Sequence, residues 1–286
     1  MAEDPFTLYR QLQKAFSRNI KGKENRELIG RIYEASRDRL GEGNRIELKS
    51  LVPDKSYFAF EGKYVSRAVN KALYLDDEGK GWAKFAAAMD KGDNTGGGLN
   101  PHELTRVIYS AAMAFCCYVD TIKEGDKKTP GTYFEYFIGH LFAWRLDANP
   151  TKSLQVLNLD MDTELPTDFV FQPGKGKTKF HLPIKTSTRE RVIQVWAHQR
   201  VLDGVYGTGR FIGTPVILTE TKTDKKKREV IEICLPAQWR LYQLHIAQLK
   251  RVYYLDLPAP YESLNKGKPT LAVREFGEFF FEAAAL

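Results

Sequence analysis

The stretch LPTDFVFQPGKGKTKFHLPIKTSTRER, residues 165–191, holds two short apolar runs separated by proline, glycine and lysine. DFVFQ (168–172) and TKFHLPIK (178–185) are β-branched or aromatic, and PGKGK (173–177) between them is a turn signal, so the spacing predicts a hairpin. Asp168 stands at the entrance of the first strand and Lys185 at the end of the second. A turn at 173–177 lets the two side chains meet where the strands diverge. Ser187 and Thr188 suit helix N-cap positions, with Arg189, Glu190 and Arg191 in the first turn that follows. Positive charge at a helix N-terminus costs a few tenths to about 1 kcal/mol, so two arginines there ask for an anionic partner.

Outward from this hairpin, SLQVLNL (153–159), TPVILTET (214–221) and EVIEICL (229–235) read as further strands. Helices are expected over 187–204 and 236–252. The order predicts an α/β (α+β) fold, a central mixed β-sheet flanked by helices. Residues 1–130 read as mainly helical. NRELIGRIYEASRDRL (25–40) carries Leu28, Ile29, Ile32 and Tyr33 on one stripe, and GWAKFAAAMD (81–90) continues in that style. Asn100 and Pro101 open an apolar helix over 101–120, and a further helix is expected over 132–147. No domain boundary or internal repeat is evident, so 1–286 is read as a single domain: a helical part (1–130) packed on a sheet-bearing part (131–286).

The chain of 286 residues has 43 Lys and Arg against 36 Asp and Glu, a net charge of +7. That balance suits a polyanionic partner, although many proteins of this charge bind none. Cys116, Cys117 and Cys234 form neither a Cys-x-x-Cys pair nor a disulfide framework, which points to reduced thiols. MAEDPFTLYRQLQKAF lacks the layout of a signal peptide, and no apolar run approaches the roughly 20 residues a membrane span needs. A cytoplasmic location with no membrane partner is the expectation.

Several residues invite a chemical role. Phosphodiester hydrolysis needs a carboxylate to hold a divalent metal and a cation to orient water or offset phosphorane charge, and Asp168 and Lys185 suit those parts; the alternative is an aspartate capping a turn and a surface lysine. Arginine bonds guanine O6 and N7 together, and glutamate accepts from cytosine N4, so Arg189-Glu190-Arg191 suits G·C pairs. The alternative is an exposed turn salt bridge. His140, His181, His198 and His245 lack ligand spacing and read as structural or exposed. GKGK (174–177) lacks the lead and the Ser/Thr of a phosphate-binding Walker loop. KTDKKKRE (222–229) reads as a solvated basic hairpin tip, and Trp196, Trp239 and Tyr242 read as core.

The order Asp, hairpin, strand, lysine, helix resembles the PD-(D/E)xK nuclease core of Type II restriction endonucleases. PTDFVF matches the Pro-Asp element with one residue inserted between Pro166 and Asp168. IKTSTRER is similar to the subgroup that cuts GG/CC-containing sites, where an Arg-Glu-Arg-like cluster begins four residues after the catalytic lysine. Lys185 and Arg189 have that spacing. PGTYFEYF (130–137) resembles the helix whose Phe-Glu pair points a glutamate at the metal, which gives Glu135 that part; the alternatives for Glu135 are solvent or a pairing with His140 or Arg145. The resemblance implies catalytic Asp168, Lys185 and Glu135, base or backbone contacts by Ser187, Thr188, Arg189, Glu190 and Arg191, and Mg²⁺ as cofactor. It also implies double-stranded DNA as substrate, a homodimer and a cognate DNA methyltransferase. The stretch from VWAHQRVLDGVYG to CLPAQWRLYQLHIAQLKRVYYLDLP further resembles enzymes that cleave GGWCC-type sites. The chain departs from the pattern at Pro183, where a second acid is usual. The subgroup's alternative, an acid about thirteen residues past the lysine, meets His198 and Gln199. Gln199 or His198 is then expected as a weak metal ligand, or Glu135 supplies the second carboxylate.

Overall fold

The computed structural model describes residues 3–77, 79–93, 95–157, 162–265 and 271–286. The chain opens with helices α1 (Pro5–Arg18) and α2 (Lys23–Gly41). Strands β1 (Asn44–Ser50), β2 (Tyr57–Glu61) and β3 (Val69–Asn70) follow, and then helices α3 (Lys80–Asp90), α4 (Pro101–Ile122) and α5 (Lys128–Arg145). The three strands lie in the part whose sequence reads as mainly helical. Phe58, Phe60 and Val69 pack on the helices, whereas Leu48, Tyr57 and Ala59 cluster with Val230, far along the chain.

Helix α4 is the centre of the core, buried on most of its faces. Asn100 accepts from the Glu103 amide at 2.9 Å and the Glu103 carboxylate accepts from the Asn100 amide at 2.8 Å, the reciprocal cap its sequence predicts. Helices α1, α2 and α5 pack around it, and their aliphatic and aromatic side chains share one cluster with Phe169, Phe171 and Ile184 from the sheet.

The main sheet begins with β4 (Pro150–Leu157) and β5 (Asp162–Phe171). Residues 158 and 159 of the strand expected over 153–159 lie outside the described residues. The predicted hairpin then turns into β6 (Lys179–Leu182) and β7 (Ile184–Lys185), with β6 antiparallel to β5. These two strands are one extended run interrupted at Pro183, whose ring nitrogen has no hydrogen to give a ladder. The short turn Arg189–Arg191 leads into α6 (Ile193–Tyr206). Strands β8 (Phe211–Gly213) and β9 (Val216–Ile217) run parallel to β6 and β7. The Val216 amide donates to the Pro183 carbonyl at 2.9 Å, so the pairing crosses the break.

Beyond them, β10 (Thr221–Asp224) and β11 (Glu229–Glu232) form the basic hairpin read at 222–229. Helix α7 (Pro236–His245) precedes β12 (Val252–Tyr254) and β13 (Val273–Glu275), which extend the main sheet in parallel beside β9. Strand β11 pairs parallel with β1, joining a second sheet in the order β10-β11-β1-β2-β3. Trp196 of α6 meets Trp239 and Tyr242 of α7 and forms core there, as expected. The fold is the expected mixed sheet flanked by helices. No helix among the described residues is long and apolar enough to cross a membrane.

Candidate active site

Strand β5 reaches the site through an irregularity. Thr151 pairs with Val170 and Ser153 with Pro166, so two steps along β4 face four along β5. The extra length falls at Thr167–Phe169, and bulges of this kind re-aim side chains beside active sites. Thr167, between Pro166 and Asp168, lies in this bulge.

Asp168 and Lys185 meet as the hairpin predicts. Lys185 Nζ donates to Asp168 Oδ2 at 2.9 Å, and the Ile184 amide donates to the same oxygen at 2.7 Å. Their side chains are 38% and 21% exposed, a pair open to a ligand on one side. Pro183 contributes no carboxylate, and the amide immediately after it holds Asp168 in place.

Glu135 comes to this pair from the middle of α5. Burial first, and then the negative charge of Asp168, raise its pKa, while Lys185 and Lys152 pull it down. Neither partner read from the sequence pairs with it: His140 bonds the Ile20 carbonyl at 2.7 Å, and Arg145 Nε donates to the Phe280 carbonyl at 2.8 Å, while Glu135 itself is half-buried. The charge of Asp168 disfavours the ionised form of Glu135, a cost that a bound divalent cation would relieve. Their hard oxygens suit Mg²⁺, which needs only one or two protein carboxylates besides water and phosphate. Among the described residues no group of three or more His, Cys, Asp or Glu converges as a metal cage.

Gln199 does not join them. Its Nε2 donates to Asp203 Oδ1 and the Phe211 carbonyl, both at 3.0 Å, and its Oε1 lies 3.2 Å from His181 Nδ1. The amide is spent on a buried network, so the expectation of a ligand at Gln199 is corrected. Its neighbour His198 feels the charges of Lys185 and Asp168, as buried His181 does. Half-buried, His198 has its pKa lowered by burial and by Lys185 and raised by Asp168.

The turn at 187–191 is built differently from its sequence reading. Thr188 is buried, and neither hydroxyl residue caps the turn with its side chain. The cap is Glu220, which the sequence reading missed. Fully buried, it accepts from the Thr188 amide at 3.1 Å, the Arg189 amide at 3.0 Å, the Tyr254 hydroxyl at 2.9 Å and the Thr188 hydroxyl. A base contact by Thr188 is therefore corrected to a structural part. The one signal for Glu220 was a lone acid closing the apolar run TPVILTET.

Arg189 takes a left-handed φ of 44° and donates from its guanidinium to the Thr221 carbonyl at 2.9 Å. It is partly committed to the protein. Arg191 is exposed, and it shares a cleft of about 150 Å³ with Lys185, Ser187, Thr188, Gln194 and Val195. The side chain of Glu190 lies outside the described residues. The lysine and one arginine of the motif thus line a single concavity.

No family model and no curated protein matches the chain. Among solved structures, the chain is similar to the Type IIP restriction endonuclease Kpn2I with a TM-score of 0.81 at 23% identity. That match covers 98% of this chain and 96% of the other. The fold is that of a restriction endonuclease. A second structure, restriction endonuclease PspGI with its substrate DNA, matches at a TM-score of 0.43 and 12% identity over 71% of this chain and 90% of that one. Asp168 of β5 and Lys185 of β7 meet where the hairpin ends, and α5 carries Glu135 close enough for its charge to couple with theirs.

Proposed function

We propose that the chain is a Type II restriction endonuclease that hydrolyses one phosphodiester in each strand of a short DNA palindrome containing GG/CC, with GGWCC as the type of site. The observation that carries this reading is the Asp168–Lys185 contact beside Glu135 at one end of the sheet in this fold. Asp168 and Glu135 would hold Mg²⁺. When bound, the ion supplies charge that polarises the scissile phosphate and favours deprotonation of water. Lys185 keeps an ammonium beside that phosphate, where it orients the attacking water and offsets charge on the phosphorane. His198 accepts or donates a hydrogen bond at the edge of the pair without adding charge. Arg191, and Arg189 with the donors that Thr221 leaves free, face base edges or phosphate from the cleft shared with Lys185. A palindrome is cut most simply by a homodimer with one site per strand, and a cognate methyltransferase would protect host DNA.

Incubation of a sequenced plasmid with Mg²⁺ tests this reading. Discrete bands are expected from the parent chain, with activity reduced about 10²–10³-fold or more in Lys185→Ala and Asp168→Ala. A smear would favour a nuclease without sequence choice. The carboxylate missing at Pro183 supports a second reading, a sequence-specific DNA-binding protein that no longer cuts. Tight binding with no cleavage at any Mg²⁺ concentration would decide for it.

A further inference from the structure

Beside the carboxylates lies a second cleft, of about 490 Å³, that the functional reading leaves without a part. Its polar rim includes Arg18, Asn19, Asn149 and Lys152. Arg18 is spent on Glu24, whose two oxygens lie at 3.0 Å. Lys152 is exposed, and among the described residues no carboxylate lies within ion-pair distance of it. Its ammonium sits over three rings instead, 5.1 Å from the centre of Phe169, 5.6 Å from Tyr136 and 5.7 Å from Phe16. Those distances are within the range of cation–π attraction, and the rings restrict a long side chain that would otherwise sweep through solvent.

The platform is tied to the active site by the chain itself. Phe169 follows Asp168, and Tyr136 follows Glu135. Lys152 occupies the single β4 position opposite the bulge that aims Asp168, and its charge reaches Glu135. A fixed, unpaired cation next to a phosphate-handling centre, with neutral amides around it, matches a phosphodiester in both charge and hydrogen-bond character.

We propose that Lys152 and this cleft form a subsite for a backbone phosphate of the bound DNA strand, next to the phosphate that is cut. This rests on the endonuclease reading. Lys185 already serves the scissile group, and Lys152 holds the same strand at a neighbouring position.

The test is binding of a short fluorescein-labelled duplex of mixed sequence, in EDTA, over a series of salt concentrations, with the full chain. Loss of one phosphate contact lowers the slope of log Kobs against log salt by about 0.9. Lys152→Gln is expected to show that loss and Lys152→Arg to keep the parent slope, both at the parent Tm. A parent slope retained in Lys152→Gln overturns the subsite while leaving plasmid cleavage, and the endonuclease reading, standing. Failure of the parent chain to bind the duplex overturns the subsite, and plasmid cleavage with Mg²⁺ then decides the endonuclease reading by itself.

Discussion

Pro183 and His198 together explain how the site differs from the pattern its sequence resembles. Proline cannot supply an acid, and the residue thirteen positions after Lys185 is a histidine, whose ring feels the charges of Lys185 and Asp168. His198→Glu puts a second negative group there. The Mg²⁺ concentration for half-maximal plasmid cleavage is expected to fall about tenfold, within the range for changes in a metal's surroundings. An unchanged Mg²⁺ requirement would show that this position does not look into the site. Two other histidines act on stability. Burial lowers the pKa of His140 and of His181 from 6.5 to about 4. Because the folded value lies below the unfolded one, the unfolded chain binds more protons between them. Their contribution is complete above about pH 6.5 and drains away as pH falls toward 4, up to about 3 kcal/mol for each group. A Tm that declines from pH 7 to pH 5, with a shallower decline in His140→Gln, is the expected calorimetric result. A parent Tm that stays level over that interval would mean both rings titrate normally.

At the scale of elements, the approach of α5 to β5 brings Glu135 near Asp168. Gly139 makes that approach possible, since a Cβ there would stand 2.7 Å from a ring carbon of Phe169. Glu135 lies one turn before it on the same side of the helix. Gly139→Ala is expected to cost about 1–3 kcal/mol by overpacking. It should also weaken cleavage, because the helix that carries Glu135 is pushed from the strand that carries Asp168. A lowered Tm with full activity would argue that Glu135 is dispensable. The hairpin itself was legible at this scale, because turn residues and β-branched runs act within a few positions of each other. The cap at Thr188 was not. It comes from Glu220, between β9 and β10 and 32 residues away.

The whole molecule is joined by contacts between its two halves. Lys49 of β1 pairs with Glu229 of β11 at 2.9 Å, 180 residues on. Lys55 Nζ donates to Glu232 and Asp256, both at 2.7 Å, and to the Leu257 carbonyl at 2.8 Å. Removing that lysine leaves two carboxylates mostly out of water without their cation. Lys55→Met is expected to destabilise the chain by about 3–5 kcal/mol, a Tm loss on the order of 10 °C. Combining it with Asp256→Asn should recover part of the loss. No recovery in the double variant would place the damage in lost packing rather than in uncompensated charge.

What the sequence by itself determined are the features made by near neighbours: the helix stripes, the Asn100–Glu103 cap, the hairpin, and the meeting of Asp168 with Lys185. Periodicity, capping and turn chemistry act over a few residues, and those residues carry them whatever the rest of the chain does. Only the tertiary structure decided that Glu135 rather than Gln199 joins the pair, that Glu220 holds the turn, that Lys152 rests on three rings, and that β1 lies beside β11. Each of these depends on which distant surfaces pack together. Packing selects partners by shape and burial summed over the whole core, and no local pattern records that sum.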